Sequence, residues 1–227
     1  MSVPVQPDWP QPSHPELIEV RYSATEFNTS AHSLVSLPPG ALFTPLTSPP
    51  LTLTSTKAYS SIQLSRTEHA ELHSDLLYVN HSCEPSLVFD MAAREVRVAS
   101  RRVQGEEQEG KERGLEVGDE LTFFYPSSEW SMAQPFECRC GAGEGVCKGW
   151  IGGAKEMGRE RMKGMWLNAF IEELLDEQER EAAAAAKDVE ATAVKDVEVT
   201  AKDGDKQPTV KEERSKRTER KGSCNVQ

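Results

Sequence analysis

Three observations predict a mainly β domain followed by a C-terminal α-helix. Short apolar runs separated by Pro- and Gly-rich turns follow one another from Leu17 onward, the pattern of a β meander. The most aromatic of these runs, Leu121-Thr122-Phe123-Phe124-Tyr125, reads as a buried strand. Past Trp150 the spacing changes: Met162, Trp166, Phe170 and Leu174 recur every four residues, with Leu167, Ile171 and Leu175 alongside, which predicts an amphipathic helix over about 157–182.

Residues 1–15 hold five prolines and read as an extended arm without the apolar core of a signal peptide. Strand character begins at Leu17–Tyr22, and Ser33–Leu37 then leads into the turn Pro38-Pro39-Gly40 and the run Ala41–Phe43. Thr52–Thr56 and Tyr59–Leu64 are further β-prone runs, while Glu68–Leu72 fits either a helical turn or a strand. Leu87–Asp90 and Glu95–Ala99 alternate apolar and polar residues across the hairpin-length loop Met91–Arg94. Residues 104–114 carry no apolar anchor and read as a surface loop. Ala182–Ala186 extends the helix. Residues 187–227 form a low-complexity tail with an eight-residue repeat (Lys187-Asp188-Val189-Glu190, Lys195-Asp196-Val197-Glu198) and two basic pairs near the end, a weak nuclear-import signal.

With 227 residues there is room for one domain of ordinary size and a tail. The formal net charge is −11, and most of it falls in residues 1–154, which hold 11 Lys and Arg against 20 Asp and Glu. An acidic domain argues against a protein that tracks phosphates and suits a cationic substrate. No apolar run approaches the length of a membrane span, about 18 residues. Five cysteines, three of them within ten residues, point to metal binding in the reducing nucleus or cytoplasm rather than to disulfides.

The cysteine cluster is Cys138-x-Cys140-x6-Cys147, with a glycine-rich loop between the second and third thiols. A closed zinc site takes four ligands, so this run supplies three. His69 and His73 are four apart, but without a third ligand nearby they read as ordinary histidines. His81 and Cys83 stand too close in the chain for a nucleophile and base drawn from separate parts of a fold.

Asn80-His81-Ser82-Cys83-Glu84-Pro85, then Gly118-Asp119-Glu120-Leu121-Thr122-Phe123-Phe124-Tyr125, then the cysteine cluster, stand in an order that resembles the SET-domain protein lysine methyltransferases with a post-SET tail. The resemblance covers roughly residues 15 to 155. It implies a fold of several small sheets with a threaded segment, in which the chain after Tyr78 passes under the strand ending at Tyr125. The implied boundaries are a SET domain over 16–130, a post-SET zinc segment over 131–155 and a helix over 156–186. By the same resemblance Tyr125 is the catalytic tyrosine, with Phe123 beside it shaping the lysine channel. Asn80, His81, Tyr78 and Tyr125 hold S-adenosyl-L-methionine, and Cys83 joins Cys138, Cys140 and Cys147 around zinc. The implied partner is a protein presenting a lysine, a histone tail among the candidates, with no nucleic acid or membrane.

The chain departs from the family pattern at several positions. Ala31-His32-Ser33-Leu34 replaces a glycine-containing segment that lies close to the cofactor, and Ser86, Phe124 and Leu77 replace Asn, Asp and Arg. These changes define an alternative, a zinc-stabilised interaction module that keeps the fold without the activity.

Overall fold

The computed structural model describes residues 7–23, 29–102 and 112–202, with side chains up to Lys187. The chain forms two compact units, Met1–Glu181 and Ala182–Gln227. All the sheets belong to the first; the described part of the second is helix.

Strands β1 (Ile18–Arg21) and β2 (Ser30–Ser33) pair antiparallel. After β3 (Leu42–Pro45) come β4 (Thr52–Thr54), β5 (Ser61–Gln63) and β6 (His69–Glu71), a three-stranded sheet with β6 in the middle. A 3₁₀ turn at Asp75–Tyr78 leads into the short β7 (Asn80–His81). The predicted hairpin follows as β8 (Leu87–Asp90) and β9 (Glu95–Val98), with β3 on the outer side of β9. Leu87, Phe89, Val96 and Val98 are buried and their neighbours are less so, the two-residue period the sequence predicts. Asp90 tightens the hairpin loop by accepting the Ala93 N–H at 2.9 Å. β10 (Arg101–Arg102) pairs with β11 (Glu112–Arg113). β12 (Thr122–Phe123) then returns to lie parallel to β7, Thr122 opposite Asn80 and Phe123 opposite His81. β13 (Phe136–Glu137) and β14 (Trp150–Ile151) form the last pair. Among the described residues there are six sheets, none wider than three strands, and the fold is mainly β as predicted.

Several expectations change. The single helix over 157–182 is two helices, α1 (Ala154–Arg161) and α2 (Ala169–Lys202). Met162 and Trp166 keep the four-residue spacing but stand in the connection, where Gly164 takes a left-handed φ of 82°. A count of apolar spacing cannot register that break. α2 also continues past 186, so the Lys187–Glu190 repeat is helical; residues 203–227, with the basic pairs, lie outside the described part. Most of the 104–114 insertion lies outside it too, but its last residue is anchored. A Cβ on Gly114 would stand 2.2 Å from the Leu37 carbonyl oxygen, and Leu115 exchanges backbone hydrogen bonds with Leu37. The second predicted strand is shifted as well, to Ser30–Ser33, leaving Leu37 in an isolated bridge.

The core has two parts. One is built on Phe89, Leu87, Val96, Leu121 and Phe123; the other on Phe124, Ile151, Met157, Met162, Ile171 and Leu175. β12 and the residue after it sit between them, since alternation sends Phe123 to one side and Phe124 to the other. Asn168, immediately before α2, fastens the two parts. Its side chain accepts the Met91 N–H at 2.9 Å and donates to the Phe89 and Ser127 carbonyls at 3.1 and 2.9 Å.

Candidate active site and thiol cluster

The parallel pair β7/β12 is the base of the site, because it sets the Asn80–Pro85 motif against the aromatic strand. Ser82 and Ser86 extend the pairing, their N–H groups donating to the Phe123 and Thr122 carbonyls, both at 3.1 Å. The Ser86 hydroxyl donates to the Glu120 carbonyl at 3.0 Å. Ser86 therefore has a local bonding role in this chain.

A cavity of about 1090 Å³ opens along this pair. That is just above the usual span of ligand pockets, roughly 300–1,000 Å³. Tyr78, Asn80, His81, Phe123, Tyr125 and Phe136 are among its walls. Tyr125 begins a 3₁₀ turn, and its hydroxyl donates to the Val79 carbonyl at 3.1 Å. Its ring lies 4.7 Å from that of Phe123, which stacks on Phe89 at 4.2 Å. Burial, then the carboxylates of Glu129 and Glu120, push the Tyr125 phenol well above its ordinary pKa, so it stays protonated at neutral pH. Tyr78 also lines the cavity, packed against Trp9 and Tyr22.

Cys83, Cys138, Cys140 and Cys147 come together beside the cavity, their sulfurs all within 4.8 Å of one another. Among the described residues this is the one group of three or more potential ligands, and His69 and His73 belong to no such group. Three glycines with positive φ (Gly141, Gly143, Gly145) give the loop that returns Cys147 its curvature. Burial first raises the Cys83 thiol to about 11. Cys140 also feels burial, but backbone hydrogen bonds outweigh it and hold this thiol down to about 7. Four such sulfurs cannot all ionise unaided; a cation at their centre would remove the cost, and the donor set could hold one metal ion.

His81 joins the thiol cluster to Tyr125. Burial lowers its pKa to about 4, so the ring is neutral. Its Nδ1 accepts the Tyr125 backbone N–H at 3.2 Å, which leaves the proton on Nε2, 3.4 Å from the Cys83 sulfur. The Lys148 N–H donates to the same sulfur at 3.2 Å. His81 thus bridges the Cys83 sulfur and the Tyr125 backbone.

The structure thus gathers every sequence-predicted site residue around one cavity and its adjoining cluster. Ala31-His32-Ser33-Leu34 is elsewhere: none of the four lines the cavity, and the Ala31 methyl is fully buried in the first core. Sequence reasoning missed Glu129, a buried carboxyl on the cavity wall that burial pushes up to about 7. It also missed Phe136, whose ring lies 5.6 Å from His81 and 6.1 Å from Tyr125. Neither carries a local signal: Glu129 is a single carboxyl in a polar loop, and Phe136 opens a two-residue strand too short for any periodicity.

No protein-family model matches the chain. It is 47% identical to methyltransferase flvH of Aspergillus flavus over 169 residues, 74% of this chain and 86% of that protein. It is also 34% identical to the histone-lysine N-methyltransferase ash1 of Drosophila melanogaster over 110 residues. That match covers 43% of this chain and spans only 4% of ash1. A mainly β fold around an aromatic cavity, with this degree of identity, defines a methyltransferase. The chain belongs to the family of methyltransferase flvH. Among the described residues no helix is long and apolar enough to cross a membrane.

Proposed function

We propose that this methyltransferase is a SET-type, S-adenosyl-L-methionine-dependent protein-lysine N-methyltransferase stabilised by zinc. The observation that carries the reading is the meeting of Asn80–Cys83 and Phe123–Tyr125 across β7/β12, at a cavity with the Tyr125 hydroxyl on its wall. The partial likeness to ash1 supports a lysine substrate.

When bound, S-adenosylmethionine supplies a methyl carbon on a positive sulfur, which an amine nitrogen attacks in line as the C–S electron pair withdraws to sulfur. The cavity volume and the polar edge formed by Asn80 and His81 fit such a group. Asn80, His81 and Tyr78 would hold its amino-acid and adenine ends. Phe123 and Tyr125 narrow the cavity so that an amine arrives desolvated and aimed. The Tyr125 oxygen can accept weak C–H···O contacts from the polarised methyl group. It keeps its own proton while doing so.

The thiols fit zinc. Tetrahedral ligands about 2.3 Å from the metal stand roughly 3.8 Å apart, and the Cys83 and Cys138 sulfurs are 3.8 Å apart. The metal would tie β13/β14 across the cavity wall formed by Phe136, Cys138 and Cys140.

The test is incubation of the purified protein with methyl-labelled S-adenosylmethionine and three acceptors: core histones, a cell lysate and free lysine. Label on protein lysines is expected. Label on free lysine alone would overturn the protein substrate, and label on none of the three would overturn the activity.

A further inference from the structure

We propose that the Glu129 carboxylate receives the substrate's ammonium group in this cavity and takes its proton before methyl transfer. The inference rests on the amine N-methyltransferase reading above. Glu129 is only 8% exposed and stands on the cavity wall. It is four residues after Tyr125, whose carbonyl accepts the Glu129 N–H at 3.0 Å; its own carbonyl accepts the Ala154 N–H at 2.8 Å. The position of the side chain is therefore fixed from both flanks. Oε1 accepts the Gln63 backbone N–H at 2.7 Å. Oε2 has no hydrogen-bond partner among the described residues, and no cation among them forms an ion pair with the carboxylate. Oε2 is not one of the fully buried polar atoms without a partner, so it opens to the cavity, where a guest can meet it. A cationic guest would supply the missing partner.

The chemistry of the reaction calls for such a group. A lysine amine has a pKa of about 10.4, so at pH 7.5 only roughly one molecule in a thousand is neutral. The nitrogen has no lone pair to donate until the proton leaves. In the proposed step the ammonium passes one proton to Glu129, giving a neutral amine beside a neutral acid. The nitrogen pair then forms the N–C bond while the C–S pair goes to sulfur, and the product leaves as a methylated ammonium. Glu129 returns its proton to solvent through the cavity. The charged and titratable groups facing Glu129 are Lys57, on the loop before β5, and Tyr125 on its own turn; α1 offers the Ala154 backbone. Burial places the Glu129 carboxyl near pH 7, where it can both take up and release a proton.

Glu129→Gln keeps the side-chain volume and the bond from Gln63 and removes the charge. Calorimetry with n-butylammonium on the full chain, without turnover, is expected to give binding at least tenfold weaker in the variant. The pH profile of kcat/KM with a lysine-bearing histone is expected to rise through a limb near pH 7 in the wild type. In the variant that limb disappears and the value at pH 7.5 is about 100-fold lower. It climbs back toward the wild type as the pH nears that of free lysine's own ionisation, a recovery that a merely structural defect would not produce. Equal amine binding and the same acid limb in both proteins would overturn the role of Glu129 and leave the methyltransferase reading intact. Amine binding lost in the variant, with no methyl transfer by the wild type, would support the ammonium site and overturn the reading.

Discussion

Tyr125→Phe is expected to lower methyl transfer by about 100-fold or more, equivalent to roughly 3 kcal/mol of transition-state stabilisation, while the protein stays folded. The hydroxyl makes one hydrogen bond, to the Val79 carbonyl, and the ring stays packed against Phe123 and Phe136. Loss of that bond costs on the order of 1 kcal/mol of stability. Packing is preserved, so the melting temperature moves by only a few degrees. Single-turnover rates with labelled S-adenosylmethionine, paired with a thermal melt, separate the two effects. Wild-type turnover in Tyr125→Phe would remove the phenol from the proposed mechanism. A collapse of the melt would instead make Tyr125 a structural residue.

The second large effect concerns the thiols. Cys83→Ser, or treatment with a strong zinc chelator, is expected to lower the melting temperature by on the order of 10 °C and to abolish activity. Stability falls because the only link among the described residues that joins Cys83 to both ends of the Cys138–Cys147 loop is the sulfur cluster and its hydrogen bonds. Activity falls because Cys83 is also the partner of His81 Nε2, and the other ring nitrogen holds the Tyr125 backbone. Metal analysis of the purified protein should give about one zinc per chain. An unchanged melt after complete chelation would contradict a structural metal.

How much of this was legible in the sequence depends on the distance over which each signal acts. The β8/β9 hairpin is read from its own residues: apolar alternation, a short loop and an Asp to close the turn. The three clustered cysteines are equally local, and the glycines between them explain how the loop closes. Cys83, 55 residues before Cys138, enters the set only through resemblance, because spacing cannot reveal a fourth ligand so far away. β7 and β12 are two residues each, too short for any periodicity; they exist because Asn80–His81 finds Thr122–Phe123 across the fold. The same holds for Glu129, whose partner Gln63 lies 66 residues away on β5. The helix failed for the opposite reason. Its apolar spacing was regular, but a backbone φ of 82° at Gly164 belongs to no helix. At Ala31–Leu34 the chain departs from the resembled pattern, and β2 buries the Ala31 methyl in the first core.

The most direct measurement is a crystal structure of the full chain grown with zinc and S-adenosylhomocysteine. Nucleoside density is expected along Asn80 and His81, with the thioether sulfur directed at the Tyr125 hydroxyl and one tetrahedral metal on Cys83, Cys138, Cys140 and Cys147. Ligand bound away from the β7/β12 pair, or a cavity still empty at saturating ligand, would contradict this expectation.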